Sequence, residues 1–382
     1  MKPMLNRDET MKVLFVTRPT VFSGPGGDTI QLLKTKKYLE NLGVDIEIAT
    51  SPTPSIDGYD IVHFFNLRNP QDIISTVLSA KSKGIPSVLS TIWGSYNECD
   101  RKTRKGFQRW VANNVSEYFL EYLKTTARIF FNRNFHKGMF RYLIKGHYSS
   151  QREIASSVNV LLPNSPTELK RVISDMRLGM YNARWVANAV DTDVFDINRN
   201  FSGKYDHLEG CLLSAARVEI RKCQLDLIKA VKDLPYKLVI VGKPSPNSRA
   251  YYDECLIEAG SNVVFINHVE QDELAELYKV SKAHALISWM ETPGLSSLEA
   301  AIMECNLLVT NRGDTEFYFE SYAEYCEPGN IESIRNGVIS VMEKEYDTKL
   351  KDKIISNFTW QHTAQQTLDG YYLALDIMRK NK

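Results

Sequence analysis

A chain of 382 residues that is 43% hydrophobic can form about two domains with cores of their own, so it needs no disulfide scaffold. No apolar run is long enough for a spanning helix, which leaves binding at a membrane surface open. The formal charge of +1 hides a local imbalance: residues 101–152 carry twelve basic and two acidic side chains, net +10, against −9 elsewhere.

The first ten residues, MKPMLNRDET, are polar and carry no signal-peptide pattern, and a disordered lead is expected there. Short β-branched runs then alternate with segments of helical period, the pattern of parallel sheets built from βαβ units. In the first half the strand candidates are 12–17, 45–49, 61–65, 87–91 and 159–162, and the first is followed by a helix over 29–42. The +10 segment interrupts this series. It is rich in aromatics, Phe107, Trp110, Phe119, Phe130, Phe131, Phe135 and Phe140 among them, and reads as a surface helix pair. One reading packs its apolar face on the first domain, and another lays it on anionic lipid through cations that include Arg101, Lys102, Arg104 and Lys105.

Residues 187–210 are polar and turn-rich and are expected to be the hinge. Beyond them the strand candidates are 211–215, 237–241, 263–266, 283–287 and 307–310, and residues 359–379 read as one final helix. Two doubly wound α/β domains follow: 1–196 with its insertion at about 101–152, then 197–358, with 359–382 packing back across both. The six cysteines (Cys99, Cys211, Cys223, Cys255, Cys305, Cys326) stand singly, without a C-x-x-C pair, and read as reduced thiols of a cytoplasmic protein.

Three loops carry chemistry. S-G-P-G-G-D-T places Gly24, Gly26 and Gly27 between the first strand and its helix, where backbone amides and the helix dipole suit a phosphate. On its own such a turn is common, and the dinucleotide pattern G-x-G-x-x-G is not met. Arg217-V-E-I-R-Lys222 follows strand 211–215, putting two cations at the carboxyl edge of a parallel sheet, where a diphosphate or plain solvent meets them. Glu291-T-P-G-L-S-S-L-Glu299 follows strand 283–287, and Gly294 and Leu295 open a helix whose amides face a phosphate between two carboxylates. A carboxylate in a first helical turn also has a purely structural reading, since the dipole favours it.

The order and phase of these motifs resemble glycosyltransferase family 4, of the GT-B fold, over nearly the whole chain from Lys12 to the last helix. The E-x(7)-E spacing followed by Ala300, the pair Arg217 and Lys222, the turn Gly26-Gly27, and Asn188-A-V-D-T-D-V-Phe195 all match family motifs, the last with Ala189 in place of Gly. The resemblance implies two Rossmann-like domains facing across a cleft and a retaining transfer from a UDP- or GDP-sugar. Arg217, Lys222 and Glu291 would then be catalytic. Gly26, Gly27, Gly242, Ile266, Val269, Gly294, Leu295, Ser296 and Glu299 would bind the donor. Neither cofactor nor metal is implied; Asp191-Thr192-Asp193 spells a D-x-D metal motif but lies inside the hinge match.

Where many relatives carry T-x-H-G this chain has Thr91-Ile92-Trp93-Gly94, so a histidine role lapses and Trp93 becomes a candidate acceptor-side stacking surface, with His63 also placed on that side, against the commoner readings of a buried tryptophan and, at a strand end, a structural histidine. The implied acceptor is a glycan, lipid-linked at the inner face of a membrane, in surface polysaccharide or glycoconjugate synthesis, with nucleic acid not expected as a partner. An inactive nucleotide-sugar-binding scaffold and a GT-B sugar-nucleotide epimerase stand as alternatives.

Overall fold

A computed structural model describes residues 10–104, 106–132 and 136–380. Most of the expected polar lead, together with Lys105, Arg133 and Phe135, lies outside the described residues, as does the side chain of Phe107. The chain forms two compact units, one of residues 1–97, 105–188 and 360–382, the other of residues 98–104 and 189–359.

The first unit holds a parallel sheet of β1 (Lys12–Val16), β2 (Asp45–Ala49), β3 (Ile61–Phe65), β4 (Ser87–Ser90) and β5 (Val160–Leu162), in the order β2-β1-β3-β4-β5. Strands β3 and β4 are buried at every position, as the central strands of a sheet covered on both faces must be, and the short edge strand β5 is buried as well. Helix α1 (Gly27–Glu40) follows β1, and α2 (Pro70–Lys83) follows β3, with Pro70 opening it and Gly84 closing it at φ 64°.

Between β4 and β5 the basic segment forms, among the described residues, five helices and not the expected pair. They are α3 (Asn97–Thr103), α4 (Gly106–Asn114), α5 (Glu117–Asn132), α6 (Lys137–Lys145) and α7 (His147–Ala155). Gly106 and Gly146, at φ 56° and 80°, punctuate the series with a backbone that a continuous helix cannot take. Helix α8 (Pro166–Met176) starts where the Ser165 hydroxyl accepts from the Glu168 N–H at 2.8 Å.

The second unit holds β6 (Cys211–Ala215), β7 (Leu238–Val241), β8 (Val263–Ile266), β9 (Ser281–Leu286), β10 (Asn306–Val309) and β11 (Glu324–Tyr325), ordered β11-β10-β9-β6-β7-β8. Its helices are α9 (Gln224–Ala230), α10 (Arg249–Glu258), α11 (Gln271–Val280), α12 (Leu295–Ile302), α13 (Thr315–Phe319), α14 (Ile331–Glu343) and α15 (Thr348–Asn357). The two-residue β11 is too short to leave a periodic signal. All registered pairings in both sheets are parallel.

The division between the units falls at Asn188 and Ala189, so the stretch from Asp191 to Phe195 belongs to the second unit. There Val190 N–H donates to Phe358 C=O at 3.0 Å, and the Phe195 ring meets Tyr278 edge-on at 5.9 Å. The chain rejoins the first unit at α16 (Trp360–Lys380), where Tyr371 is buried against His63 and a side chain at Gly370 would meet Leu162 at 2.6 Å. Helix α3 goes with the second unit although its neighbours in sequence go with the first.

Candidate functional site

In the second sheet, chain order runs from β6 outward to β7 and β8 on one side and to β9, β10 and β11 on the other, so the connections diverge between β6 and β9. Ligands of open parallel sheets bind outside the carboxyl ends of the strands at such a point. The turn after β6 carries Lys222 and the turn after β9 carries Glu291, and their side chains form an ion pair here, 12% and 11% exposed.

Backbone bonds hold the two turns together. Trp289 N–H donates to Arg221 C=O at 3.1 Å, and the Ser288 hydroxyl donates to the same oxygen at 3.3 Å. Glu291 is gripped on its other side, where its N–H donates to Arg312 C=O (3.1 Å) and its C=O accepts from Asp314 N–H (2.9 Å). Burial raises the pKa of the Glu291 carboxyl, but the Lys222 ammonium and then Arg221 outweigh it, and the net shift is downward, keeping the carboxylate charged.

Helix α12 begins beside this pair. Gly294 caps it at φ 80°, where a Cβ would lie 2.4 Å from Leu286, and the first intrahelical bond runs from Ser297 N–H to Gly294 C=O. The amides of Leu295 and Ser296 therefore precede the hydrogen-bonded ladder, as anion-binding helix starts require. One turn on, Glu299 is buried and accepts from the Tyr278 hydroxyl at 3.1 Å. Burial, with Glu299 adding to it, pushes the Tyr278 phenol well above its usual pKa, so Tyr278 acts as a donor to the carboxylate.

The other donor candidates sit along the same edge. Gly242 closes β7 at φ 145°, where a Cβ would fall 2.1 Å from Ala216 C=O, and its N–H donates to Ile266 C=O at 3.0 Å. Ile266 and Val269 are half-buried at the end of β8 and in its loop. Arg217 is exposed, and no ion pair to it is present among the described residues. The structure adds Glu219, Arg221, Tyr278 and Arg312, which sequence reading passes over. Glu219 binds Arg221 and accepts from the Ser245 hydroxyl at 2.9 Å, so the R-V-E-I-R-K turn is held from within.

In the first unit, Gly26 and Gly27 stand at the start of α1, at the carboxyl end of β1, and the sheet order diverges between β1 and β3. The Gly26 N–H is taken by the Thr29 hydroxyl at 3.1 Å. Arg18, unread in the sequence, staples the loop: its guanidinium donates to Asp28 (2.8 Å), Thr20 C=O (2.9 Å) and Gly24 C=O (3.0 Å). Two of its partners are backbone carbonyls, which leave no trace in a motif.

For Trp93 and His63 the structure takes the buried reading and corrects the acceptor-side one. Trp93 is 6% exposed within the first unit's core; its indole N–H donates to Asp175 at 2.7 Å and its backbone N–H to Glu168 at 2.8 Å, so its faces are not open for a sugar to stack on. His63 is fully buried, with Nδ1 bonded to the Tyr371 hydroxyl and Nε2 to the Ser90 hydroxyl, both at 2.8 Å, and burial lowers its pKa to about 3. It is a neutral structural histidine. Asp191 is buried and accepts from Asp193 N–H at 3.1 Å, shaping its own turn, and among the described residues no group of three His, Cys, Asp or Glu is arranged to hold a metal.

Residues 198–359 match the family model described as glycosyl transferases group 1. Half of this chain is 26% identical, over 214 residues, to an uncharacterized glycosyltransferase of Methanocaldococcus jannaschii, covering 54% of that protein. A further 24% identity, over 38% of the chain, is shared with 36% of the D-inositol 3-phosphate glycosyltransferase of Rhodococcus erythropolis. The matches thus span about half, or less, of these curated relatives. Among solved structures, sucrose-phosphate synthase from Thermosynechococcus elongatus superposes over 96% of this chain and all of its own, with TM-score 0.73 and 13% identity. Anabaena HepE, in complex with UDP and glucose, superposes over 97% of this chain and 99% of its own, with TM-score 0.59 and 15% identity. At such identities the likeness is one of fold, and that fold is GT-B.

Proposed function

Because residues 198–359 match the glycosyl transferases group 1 model on a chain of GT-B fold, we propose that this protein is a retaining, metal-independent glycosyltransferase moving a sugar from a UDP- or GDP-sugar to a glycan, lipid-linked at a membrane surface. The observation that carries this reading is the buried Lys222–Glu291 pair beside the start of α12, where the sheet connections diverge. A nucleoside diphosphate needs fixed positive charge as it leaves. Lys222 and the amides of Leu295 and Ser296 supply it without a metal. The donor diphosphate would compete with Glu291 for Lys222, and the sugar hydroxyls would take up the Glu291 carboxylate in exchange.

Glu299, oriented by Tyr278, is placed for the ribose hydroxyls. That UDP occupies HepE supports a uridine donor for a protein of this fold. Retention and metal independence rest on the resemblance carried by E-x(7)-E; the acceptor hydroxyl attacks from the face the diphosphate leaves, and a diphosphate oxygen takes its proton.

The test is incubation with a panel of UDP- and GDP-sugars and a glycolipid fraction, following diphosphate release and the anomeric configuration of the product by NMR. Sugar transfer with the donor's configuration kept, unaffected by EDTA, is the expected result. An inverted product overturns retention, activity restored only by manganese overturns metal independence, and donor turnover without an acceptor product overturns the transferase.

A further inference from the structure

Helices α5 and α6 pack on each other through Ile129, Met139 and Tyr142, with Tyr122 and Leu143 beside them, and the Tyr122 hydroxyl donates to Leu143 C=O at 2.9 Å. That contact uses one face of each helix. On α5, Phe119, Leu123 and Phe130 are spaced by four and seven residues, so they form a second stripe to one side of the buried one, and all three are exposed. Phe131, 88% exposed, flanks it. On α6, Phe140 and Ile144 repeat this at a spacing of four, Ile144 being 87% exposed, while Lys137, Arg141 and Lys145 run alongside at the same spacing. A water-facing helix has no need of such aromatics, and six large apolar side chains on two packed helices form a surface built for an apolar medium.

The charge beside these stripes decides what that medium is. Residues 117–153 carry seven basic and three acidic side chains. Lys145 also lines a hollow of about 400 Å³ with Arg152, Arg177 and Glu153, rimmed by the exposed Met180. Glu153 is already engaged by Arg141 (3.0 Å) and Lys145 (2.7 Å), and its pKa is lowered to about 2, chiefly by Arg141, so the hollow keeps a cationic balance. Aromatic and aliphatic side chains in register with cations are the composition that lies in the headgroup layer of an anionic bilayer. The segment's first cations, Lys102 paired with Glu98 and Arg104 with Asp100, belong to the second unit and are not counted in this surface.

We propose that the exposed faces of α5 and α6 are a docking surface for an anionic lipid bilayer, with Phe119, Leu123, Phe130, Phe140 and Ile144 entering the interface and the cations of α5 and α6 meeting lipid phosphates. Its use in presenting a lipid-linked acceptor rests on the proposed function; the binding itself does not, and is measured without donor.

The test is co-sedimentation of the full chain with vesicles of phosphatidylcholine alone and of phosphatidylcholine with phosphatidylglycerol, at low and high salt. Wild type is expected to bind the anionic vesicles only, and less at high salt. Replacing Phe130, Phe140 and Ile144 by serine, exposed positions whose loss leaves the core intact, is expected to weaken binding by at least about tenfold with the far-ultraviolet dichroism unchanged. Arg128→Gln and Lys137→Gln are each expected to weaken it by about fivefold, the worth of one cation near an anionic surface. Binding by the triple variant equal to wild type overturns the proposal, as does equal binding to neutral vesicles. Self-association that the triple variant abolishes, without vesicle binding by wild type, also overturns it and assigns the face to a second copy of the chain. If vesicles are bound but no sugar is transferred, the surface stands and the transferase falls.

Discussion

Lys222 and Glu291 satisfy each other in a nearly dry place, and removing either leaves an uncompensated buried charge worth about 3–5 kcal/mol. Lys222→Ala is therefore expected to lose stability as well as turnover, the latter by at least about a hundredfold from loss of charge on the leaving diphosphate. The double variant Lys222→Ala, Glu291→Gln separates the effects. Urea unfolding should show most of the stability regained, while diphosphate release stays at the level of the single variant; recovery of both would remove Lys222 from the chemistry.

His63 gives a second test at this scale, of the first unit. Its folded pKa lies at about 3 against an ordinary 6.5, so the unfolded chain takes up the proton first as pH falls. Stability is then full above about pH 6.5 and declines below it, by up to about 1.4 kcal/mol per pH unit for this one group. His63→Gln should be weaker at neutral pH, having lost bonds to Tyr371 and Ser90, yet show a shallower decline. His147, lowered by burial to about 4 in the same unit, keeps the slope from vanishing. An unchanged slope in denaturant titrations would show that His63 does not carry this proton.

At the scale of elements, the site depends on loops that approach each other closer than side chains allow. A Cβ on Gly313 would lie 1.8 Å from Glu291 C=O, on a backbone at φ 99°. Gly313→Ala is expected to cost more than about 3 kcal/mol and to lower turnover at least about tenfold, because the turn that carries Glu291 must move. Gly43→Ala, at φ 83° with nothing within 4 Å, meets only the backbone penalty and should cost about 1 kcal/mol with turnover intact. Equal effects of the two would deny Gly313 a positioning role.

The contrast marks what a sequence displays. Glu291 and Glu299 stand out because their spacing fixes them in the turn after a strand and in the helix that follows, and most strands of both sheets stand out because buried parallel strands are continuous apolar runs. The grip of Arg312 and Gly313 on Glu291 runs through backbone groups, to which any residue contributes alike, and that of Arg18 on the glycine turn does so in part. The placing of α3 is equally silent. It follows from Arg312 donating to Glu98 at 2.9 Å and to Glu327 at 2.6 Å, and from Lys102 standing over Trp289, pairings between segments far apart in the chain. Trp93 misled for the opposite reason, since a tryptophan in a motif looks the same whether its ring faces a ligand or a core.

At the scale of the whole molecule, Lys222, Glu291, Gly294 and Glu299 all lie in one of two compact units. Each compact unit is expected to give its own transition, and a ligand stabilises the unit that binds it. At a hundredfold excess over its dissociation constant a nucleoside diphosphate adds about 2.7 kcal/mol. For a unit of this size that moves the transition by roughly 5–10 °C. Calorimetry with UDP and with GDP should therefore show the transition of the second unit rising with the preferred base, and Glu299→Ala should abolish the rise by removing the ribose contact while leaving the unliganded transition within a few degrees of wild type. The two transitions are assigned by His63→Gln, which lowers only that of the first unit. A rise confined to the first unit, or one that survives Glu299→Ala at full size, would move the nucleotide away from the edge formed by β6 and β9.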